Sequence, residues 1–138
     1  MQVFGRICLY LMCIVLYTTK IQAQAQETPE QVVQRQLDAY NARNIEKFLA
    51  TYSKDIEVYN YPNKLSMKGR EQMRKVYGSM FERSKDLHCK IVNRIVLGNK
   101  VIDSESVIFD AKRPPLRAIA IYTVKDGLIT RVTFVDGK

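Results

Sequence analysis

Four apolar runs separated by turn signals make up residues 87–135, LHCKIVNRIVLGNKVIDSESVIFDAKRPPLRAIAIYTVKDGLITRVTFV. Gly98-Asn99 and Asp126-Gly127 are two-residue turns whose residues tolerate the positive φ angles of tight hairpins. Pro114-Pro115 breaks the chain between the two hairpins. The pattern therefore predicts four consecutive antiparallel strands, at Leu87–Leu97, Val101–Phe109, Arg117–Val124 and Leu128–Val135.

Three amphipathic helices are predicted upstream of these strands. Thr28 and Gln31 can form a capping box around Pro29, which suits the first position of a helix. A second helix follows Asn44, and a third covers about Gly69 to Arg83. Apolar residues recur at helical spacing in each of them: Val33, Leu37 and Tyr40; Ile45, Phe48, Leu49 and Tyr52; and Met73, Val76, Tyr77, Met80 and Phe81.

A short strand lies between the second and third helices. Residues 55–60 alternate in polarity until Pro62 stops the run, and a polar loop is expected to follow. The resulting order predicts an α+β fold, with three N-terminal helices packed on a curved, mostly antiparallel sheet. A chain of 138 residues with 46% hydrophobic residues has the size and composition of one globular domain.

The first 25 residues have the features of a secretion signal. A basic start through Arg6 precedes the apolar run Ile7–Tyr17, and Ala23-Gln24-Ala25 fits an A-x-A cleavage site. The apolar run is shorter than the roughly 20 residues that a membrane span requires. We therefore expect a signal peptide at 1–25, a mature domain at 26–138, export to the periplasm or the medium, and no permanent membrane anchor.

The residues of the mature chain exclude several kinds of site. Cleavage would leave Cys89 as the one cysteine, so no internal disulfide can form, and a single histidine leaves too few ligands for a metal site. The net charge of +8 falls to +6 when Arg6 and Lys20 are removed, and the basic residues are dispersed. Nucleic-acid binding requires a clustered basic footprint, so we expect no nucleic-acid partner, and no cofactor motif is present.

Three segments carry a resemblance to a known family. The segments YNARNIEKF at 40–48, YSKDIEV at 52–58 and GRE at 69–71 resemble the opening of SnoaL-like and ketosteroid-isomerase-like domains of the nuclear-transport-factor-2-like superfamily. DGLITRV at 126–132 is similar to the last hairpin of that family. The resemblance covers about residues 29–135 and implies a cone, in which the sheet wraps around the helices and encloses an apolar pocket. It also implies a homodimer.

The resemblance argues against ordinary ketosteroid isomerase chemistry. Its alignment puts the position of the isomerase base on Asn60, that of the oxyanion tyrosine on Gln36, and that of the protonated aspartate on Ala120. An amide has no usable basicity near neutral pH and cannot relay a proton between carbons. We therefore expect no ketosteroid isomerase activity.

Asp103 and Glu105 on the second long strand are the candidate catalytic residues. Counting outward from the Gly98-Asn99 turn pairs Arg94 with Asp103, Val92 with Glu105 and His88 with Phe109. On one interpretation Asp103 or Glu105 is an acid/base in the pocket with Arg94 as its partner. The pocket is then lined by Asn60, Tyr52, Phe81, Arg94, Val107, Phe109, Tyr122 and Phe134.

On the alternative interpretation, Arg94, Asp103 and Glu105 form a surface ladder of ion pairs. Cys89, Ile91, Ile95, Ile102 and Ile108 would then face the core. Two functions follow from these alternatives. The protein is either an exported module whose apolar pocket binds a small lipophilic molecule, or a small isomerase, lyase or cyclase that uses the pocket carboxylate.

Overall fold

The computed structural model of the protein describes residues 26–136, so the predicted signal segment lies outside the described part. Three helices and six strands follow one another in the order helix, helix, strand, strand, helix and four strands. This order confirms the predicted α+β class. The elements are α1 (Pro29–Asn41), α2 (Ile45–Leu49), β1 (Tyr52–Asn60), β2 (Lys64–Lys68), α3 (Arg70–Arg83), β3 (His88–Leu97), β4 (Lys100–Ile108), β5 (Leu116–Lys125) and β6 (Leu128–Asp136).

The six strands form one sheet in the order β2-β1-β6-β5-β4-β3. Neighbouring strands are antiparallel except β1 and β6, which run parallel. Both predicted hairpin turns are present. Asp126 and Gly127 have φ angles of 51° and 73°, the pair of positive values that a two-residue turn needs to match the twist of its strands.

The helices pack on one face of this curved sheet. Thr28 and Gln31 form the predicted capping box at the start of α1. α1 packs against β3, β4 and β5, whereas α3 packs against β1 and β2. The core lies between the two layers, and its largest fully buried side chains include Phe48, Leu49, Tyr52, Ile56, Met73 and Ile129.

The region around β1 differs from the prediction in two places. Helix α2 ends at Leu49, and Tyr52 begins β1 because it pairs with Ile129 of β6, so tertiary pairing overrides the helical spacing of Tyr52. The expected loop after Pro62 contains the strand β2, which pairs with β1 from Lys64 onward. Lys64-Leu65-Ser66-Met67-Lys68 does alternate in polarity, but with two apolar residues the run is short, and most of its residues are exposed, so the signal was overlooked.

A β-bulge at Val92 changes the predicted pairing of β3 with β4. Arg94 lies opposite Asp103 as predicted, but the bulge places Ile91 and not Val92 opposite Glu105. The same shift moves His88 opposite Ile108 instead of Phe109. Because one extra residue reverses the alternation of faces, the inward residues of β3 are odd-numbered before the bulge and even-numbered after it.

The end of α1 is joined to the free edge of β3. The Asn41 side-chain amide donates to the Cys89 carbonyl at 2.9 Å, and the Cys89 backbone N–H donates to Asn41 Oδ1 at 2.8 Å. Two hydrogen bonds thus fix the helix end to the strand. Within residues 26–136 no helix has the length and apolar character needed to cross a membrane.

Candidate functional site

A cavity of about 210 Å³ lies between the helices and the inner face of the sheet. α1 and α3 supply one wall, and β2 to β6 supply the other. Apolar and aromatic side chains predominate in it, with one carboxyl group. The lining residues are Gln36, Leu37, Tyr40, Met67, Val76, Tyr77, Met80, Cys89, Glu105, Val107, Phe109, Leu116, Ala118, Tyr122 and Phe134.

Glu105 is the carboxyl group of the cavity. Alternation along β4 directs it inward with Val107, and it is 7% exposed. The Tyr122 hydroxyl donates a hydrogen bond to Glu105 Oε1 at 3.0 Å. Burial raises the pKa of Glu105 to about 7, against the opposing effect of the Tyr122 hydrogen bond, and the negative charge of Asp103 adds to the rise. Glu105 can therefore exchange a proton near neutral pH.

Asp103 lies two residues before Glu105 on the same face and is 1% exposed. Arg94 holds both of its carboxylate oxygens, with Nε–Oδ1 and Nη2–Oδ2 distances of 2.7 Å each. The third guanidinium nitrogen of Arg94 donates to Gln34 Oε1 on α1 at 2.9 Å. This bidentate geometry satisfies Asp103 through Arg94 alone and leaves Glu105 as the carboxyl group that faces the cavity.

The positions of Arg94, Asp103 and Glu105 contradict the interpretation that they form a ladder of ion pairs on the surface. Asp103 and Glu105 are buried, and the side chain of Arg94 is 13% exposed. The bulge separates the residues that the ladder required on the core side: Cys89 is buried, whereas Ile95 is 54% exposed on the outer face.

Four buried phenol groups interact electrostatically with Glu105. Burial is the main reason why the pKa values of four tyrosines, Tyr40, Tyr52, Tyr77 and Tyr122, are raised. The negative charge of Glu105 raises each of these values further. Burial also raises the pKa of the Cys89 thiol to about 12. These groups are neutral at physiological pH, so Glu105 is the group of this cluster that titrates there.

Four of the eight residues predicted to line the pocket do so: Val107, Phe109, Tyr122 and Phe134. The other four do not line the cavity, and neither does Asp103. Tyr52 and Phe81 are core residues, packed against Phe48 at centroid distances of 5.0 and 5.5 Å. Asn60 is exposed at the end of β1, and Arg94 is directed to Asp103.

The three positions aligned with isomerase residues are dispersed in the structure. Gln36 lines the cavity and lies within hydrogen-bonding reach of the Tyr52 hydroxyl. Ala120 is fully buried in the core, and the exposed Asn60 amide lies outside the cavity lining. No acid or base therefore stands at any of the three.

Several lining residues were not predicted as such. Apart from Gln36, those on α1 and α3 belong to the apolar faces of the helices, so these faces were visible in the helical spacing but the gap beside them was not. Met67 belongs to the strand that was predicted as a loop. The lining residues absent from the prediction are Gln36, Leu37, Tyr40, Met67, Val76, Tyr77, Met80, Cys89, Leu116 and Ala118.

The family is established by a match over most of the chain. The model of the SnoaL-like domain matches residues 33–132. The chain belongs to the SnoaL-like domain family. The match confirms the resemblance noted in the sequence and includes every strand from β1 to β5 and part of β6. No curated protein sequence matches this SnoaL-like domain.

Solved structures share the fold of this SnoaL-like domain at low sequence identity. An uncharacterized cystatin-fold protein from Novosphingobium aromaticivorans superposes with a TM-score of 0.72 at 22% identity, over 78% of this chain and 97% of that one. An NTF2-like protein of unknown function from Cytophaga hutchinsonii gives 0.67 at 15% identity, over 80% and 91% of the two chains. A candidate ketosteroid isomerase from Kribbella flavida gives 0.68 at 19% identity, over 80% and 78%. These similarities establish the cone fold.

Proposed function

We propose that this SnoaL-like domain binds a small, largely apolar molecule in the cavity beside Glu105. The observation that carries the proposal is a cavity of about 210 Å³ with mostly apolar and aromatic walls and few polar groups. Ligand sites are concave and mainly apolar, with a small number of polar groups that orient the ligand. Drug-sized ligands occupy pockets of roughly 300–1,000 Å³, so the volume favours a ligand with about one ring.

A cavity-filling variant tests this function. Ala118 lines the cavity, and its neighbour Ile119 is 41% exposed on the outer face of the same strand. We expect Ala118→Phe to abolish binding of toluene, a neutral one-ring probe, in titration calorimetry, whereas Ile119→Phe should bind it like the wild type. Circular dichroism should show an unchanged fold for both variants. Equal probe binding by the two variants would contradict the proposal.

A second candidate function is enzymatic proton transfer by Glu105. It is favoured by one specific observation, a buried carboxyl group on the cavity wall whose pKa is raised to about 7. A general base works best when its pKa lies near the operating pH. In this function ionised Glu105 takes a proton from the carbon next to a ligand carbonyl, which is the first step of an isomerase, lyase or cyclase. In an isomerase the protonated Glu105 then returns the proton to another atom.

Deuterium exchange separates the two functions. Cyclohexanone in deuterated buffer should gain deuterium next to its carbonyl faster with the wild type than with Glu105→Gln, and the rate should rise as pH increases through about 7. Equal rates would leave the binding module as the function. We expect no double-bond migration on an unsaturated ketosteroid, because the residue at the position of the isomerase base is Asn60, whose amide cannot act as a base.

We also propose a homodimer through the outer face of the sheet. Ile95 lies opposite Ile102, and Ile102 lies opposite Ile121, so three isoleucines form a row across β3, β4 and β5. Ile95 is exposed, and the other two are half-buried. In sedimentation experiments Ile121→Glu should shift the protein to monomer, whereas Leu97→Glu near the β3–β4 turn should not. A wild-type monomer at high concentration would contradict the dimer.

Export remains a proposal that rests on the sequence of residues 1–25. Protein isolated from its native host should begin close to Gln26. An intact Met1 in the soluble cell fraction would contradict cleavage.

A further inference from the structure

The buried charges beside the cavity do not cancel when Glu105 is ionised. Arg94 is engaged with both oxygens of Asp103, so this pair is neutral as a unit. The hydrogen-bond partner of Glu105 is the neutral hydroxyl of Tyr122. No lysine, arginine or histidine is among the described residues that line the cavity. An ionised Glu105 is therefore a buried negative charge that lacks a positive partner in the cavity wall, and such a charge is costly.

Aromatic rings form much of the surface around this charge. Tyr40 and Tyr77 come from the helices, and Phe109, Tyr122 and Phe134 come from the sheet side. The faces of aromatic rings attract cations, with about 0.5–1 kcal/mol per contact at exposed sites and about 2 kcal/mol when the contact is desolvated. A carboxylate and several rings around one apolar space are together complementary to an organic cation.

A neutral hydrogen-bond acceptor, such as a ketone, is the competing kind of ligand. It would need Glu105 in its protonated form, because an ionised carboxylate cannot donate a hydrogen bond. The Tyr122 hydroxyl donates to Glu105 Oε1, and this bond favours the ionised carboxylate. A cation gains from the ionised form and also supplies the charge that the cavity wall lacks.

We propose that the ligand of this cavity is a small lipophilic amine in its protonated form, with Glu105 as counter-ion and the aromatic walls around its apolar part. The proposal rests on the proposed binding function and names its ligand class. The titratable and charged groups that face Glu105 from the surrounding elements are Tyr40 on α1, Tyr52 on β1, Tyr77 on α3, Cys89 and Arg94 on β3, Asp103 on β4 and Tyr122 on β5.

The pH dependence of binding follows from the state of Glu105. Burial raises its pKa to about 7, so the ionised fraction rises about tenfold between pH 6 and pH 8. The phenols and the Cys89 thiol stay neutral in this range because burial raises their pKa values. Affinity for an amine should therefore rise with pH, whereas affinity for a neutral molecule of the same shape should not.

The test compares 2-phenylethylamine with 2-phenylethanol by titration calorimetry at pH 6 and pH 8. We expect the affinity of the wild type for the amine to rise about tenfold between the two pH values, and its affinity for the alcohol to stay within twofold. Glu105→Gln should lose at least tenfold in affinity for the amine at pH 8 and keep its affinity for the alcohol. The matched control is Glu71→Gln, which alters an exposed glutamate on α3 and should behave as the wild type.

Each other result overturns the amine proposal. Equal or tighter binding of the alcohol at pH 8, or amine binding that Glu105→Gln leaves intact, would show that the cavity does not select a cation. If neither molecule binds, the amine proposal fails as well. The toluene titration with Ala118→Phe decides the cavity-binding function separately, so the two failures can be distinguished.

Discussion

Replacing Glu105 with glutamine should raise the stability of the fold relative to the wild type progressively as pH increases from 5 to 8. Burial raises the pKa of Glu105 from 4.5 to about 7 in the folded state. Between these values the unfolded chain has lost the proton and the folded chain retains it. The folded state thus binds more protons in this interval, and its stability falls as pH rises.

The magnitude follows from the two pKa values. Each pKa unit corresponds to about 1.4 kcal/mol, so the full difference amounts to about 3.4 kcal/mol. The range from pH 5 to pH 8 covers only part of the titration of Glu105 in the folded and unfolded states. Over this range the wild type therefore loses about 2.5 kcal/mol of its free energy of unfolding. Glutamine has nearly the same shape and no proton to lose, so Glu105→Gln should be spared this loss.

Urea denaturation at pH 5, 6, 7 and 8, followed by circular dichroism, measures the free energy of unfolding of each protein. Subtracting the free energy of unfolding of the wild type from that of Glu105→Gln removes the contributions of all other groups. This difference should grow in favour of the variant by about 2.5 kcal/mol from pH 5 to pH 8. A difference that stays flat from pH 5 to pH 8 would refute the buried, protonated Glu105.

Three further changes have expected outcomes. Arg94→Met leaves the Asp103 carboxylate buried without its partner and should lower the free energy of unfolding by about 3–5 kcal/mol at pH 7. Tyr122→Phe removes the hydrogen bond that lowers the pKa of Glu105, so the loss of stability with pH should extend to higher pH. Thr28→Ala breaks the capping box of α1 and should cost about 1 kcal/mol in urea denaturation.

Matched controls exist for these changes. Arg35→Met breaks an exposed ion pair with Glu27 and should cost at most about 1 kcal/mol. For Tyr122→Phe, the profile is taken as the difference from the double variant with Glu105→Gln, and an unshifted profile would show that the hydrogen bond has no effect on Glu105. A neutral Arg94→Met would contradict the buried pair, and a neutral Thr28→Ala would contradict the cap.

Local chemistry in the sequence predicted much of the fold. The capping box at Thr28 and the Asp126-Gly127 turn depend on a few adjacent residues, so their conformations are set locally. β2 has a weak local signal, an alternation with two apolar residues, and its pairing with β1 completes the strand. Tyr52 likewise has the spacing of a helix and becomes a strand residue through its tertiary partner Ile129.

The sequence indicated the polar residues of the site, but it did not predict most of the residues that line the cavity. Alternation along β4 grouped Asp103 with Glu105, and the hairpin turn placed Arg94 opposite Asp103. Which of the two carboxylates faces the cavity depends on where Arg94 reaches in three dimensions. Spacing along the chain also reports that a helix face is buried, but not whether a gap remains between that face and the sheet.

The joint between Asn41 and Cys89 has a consequence for how this protein meets other chains. An edge strand presents unpaired N–H and C=O groups that can add a strand from another molecule, which is a route to aggregation. At Cys89 the side-chain amide of Asn41 occupies both backbone groups, as a neighbouring strand would. Val92 distorts the same edge by its bulge, and the opposite edge strand β2 begins and ends with lysine. These features oppose the addition of a strand from another chain at either edge of the sheet.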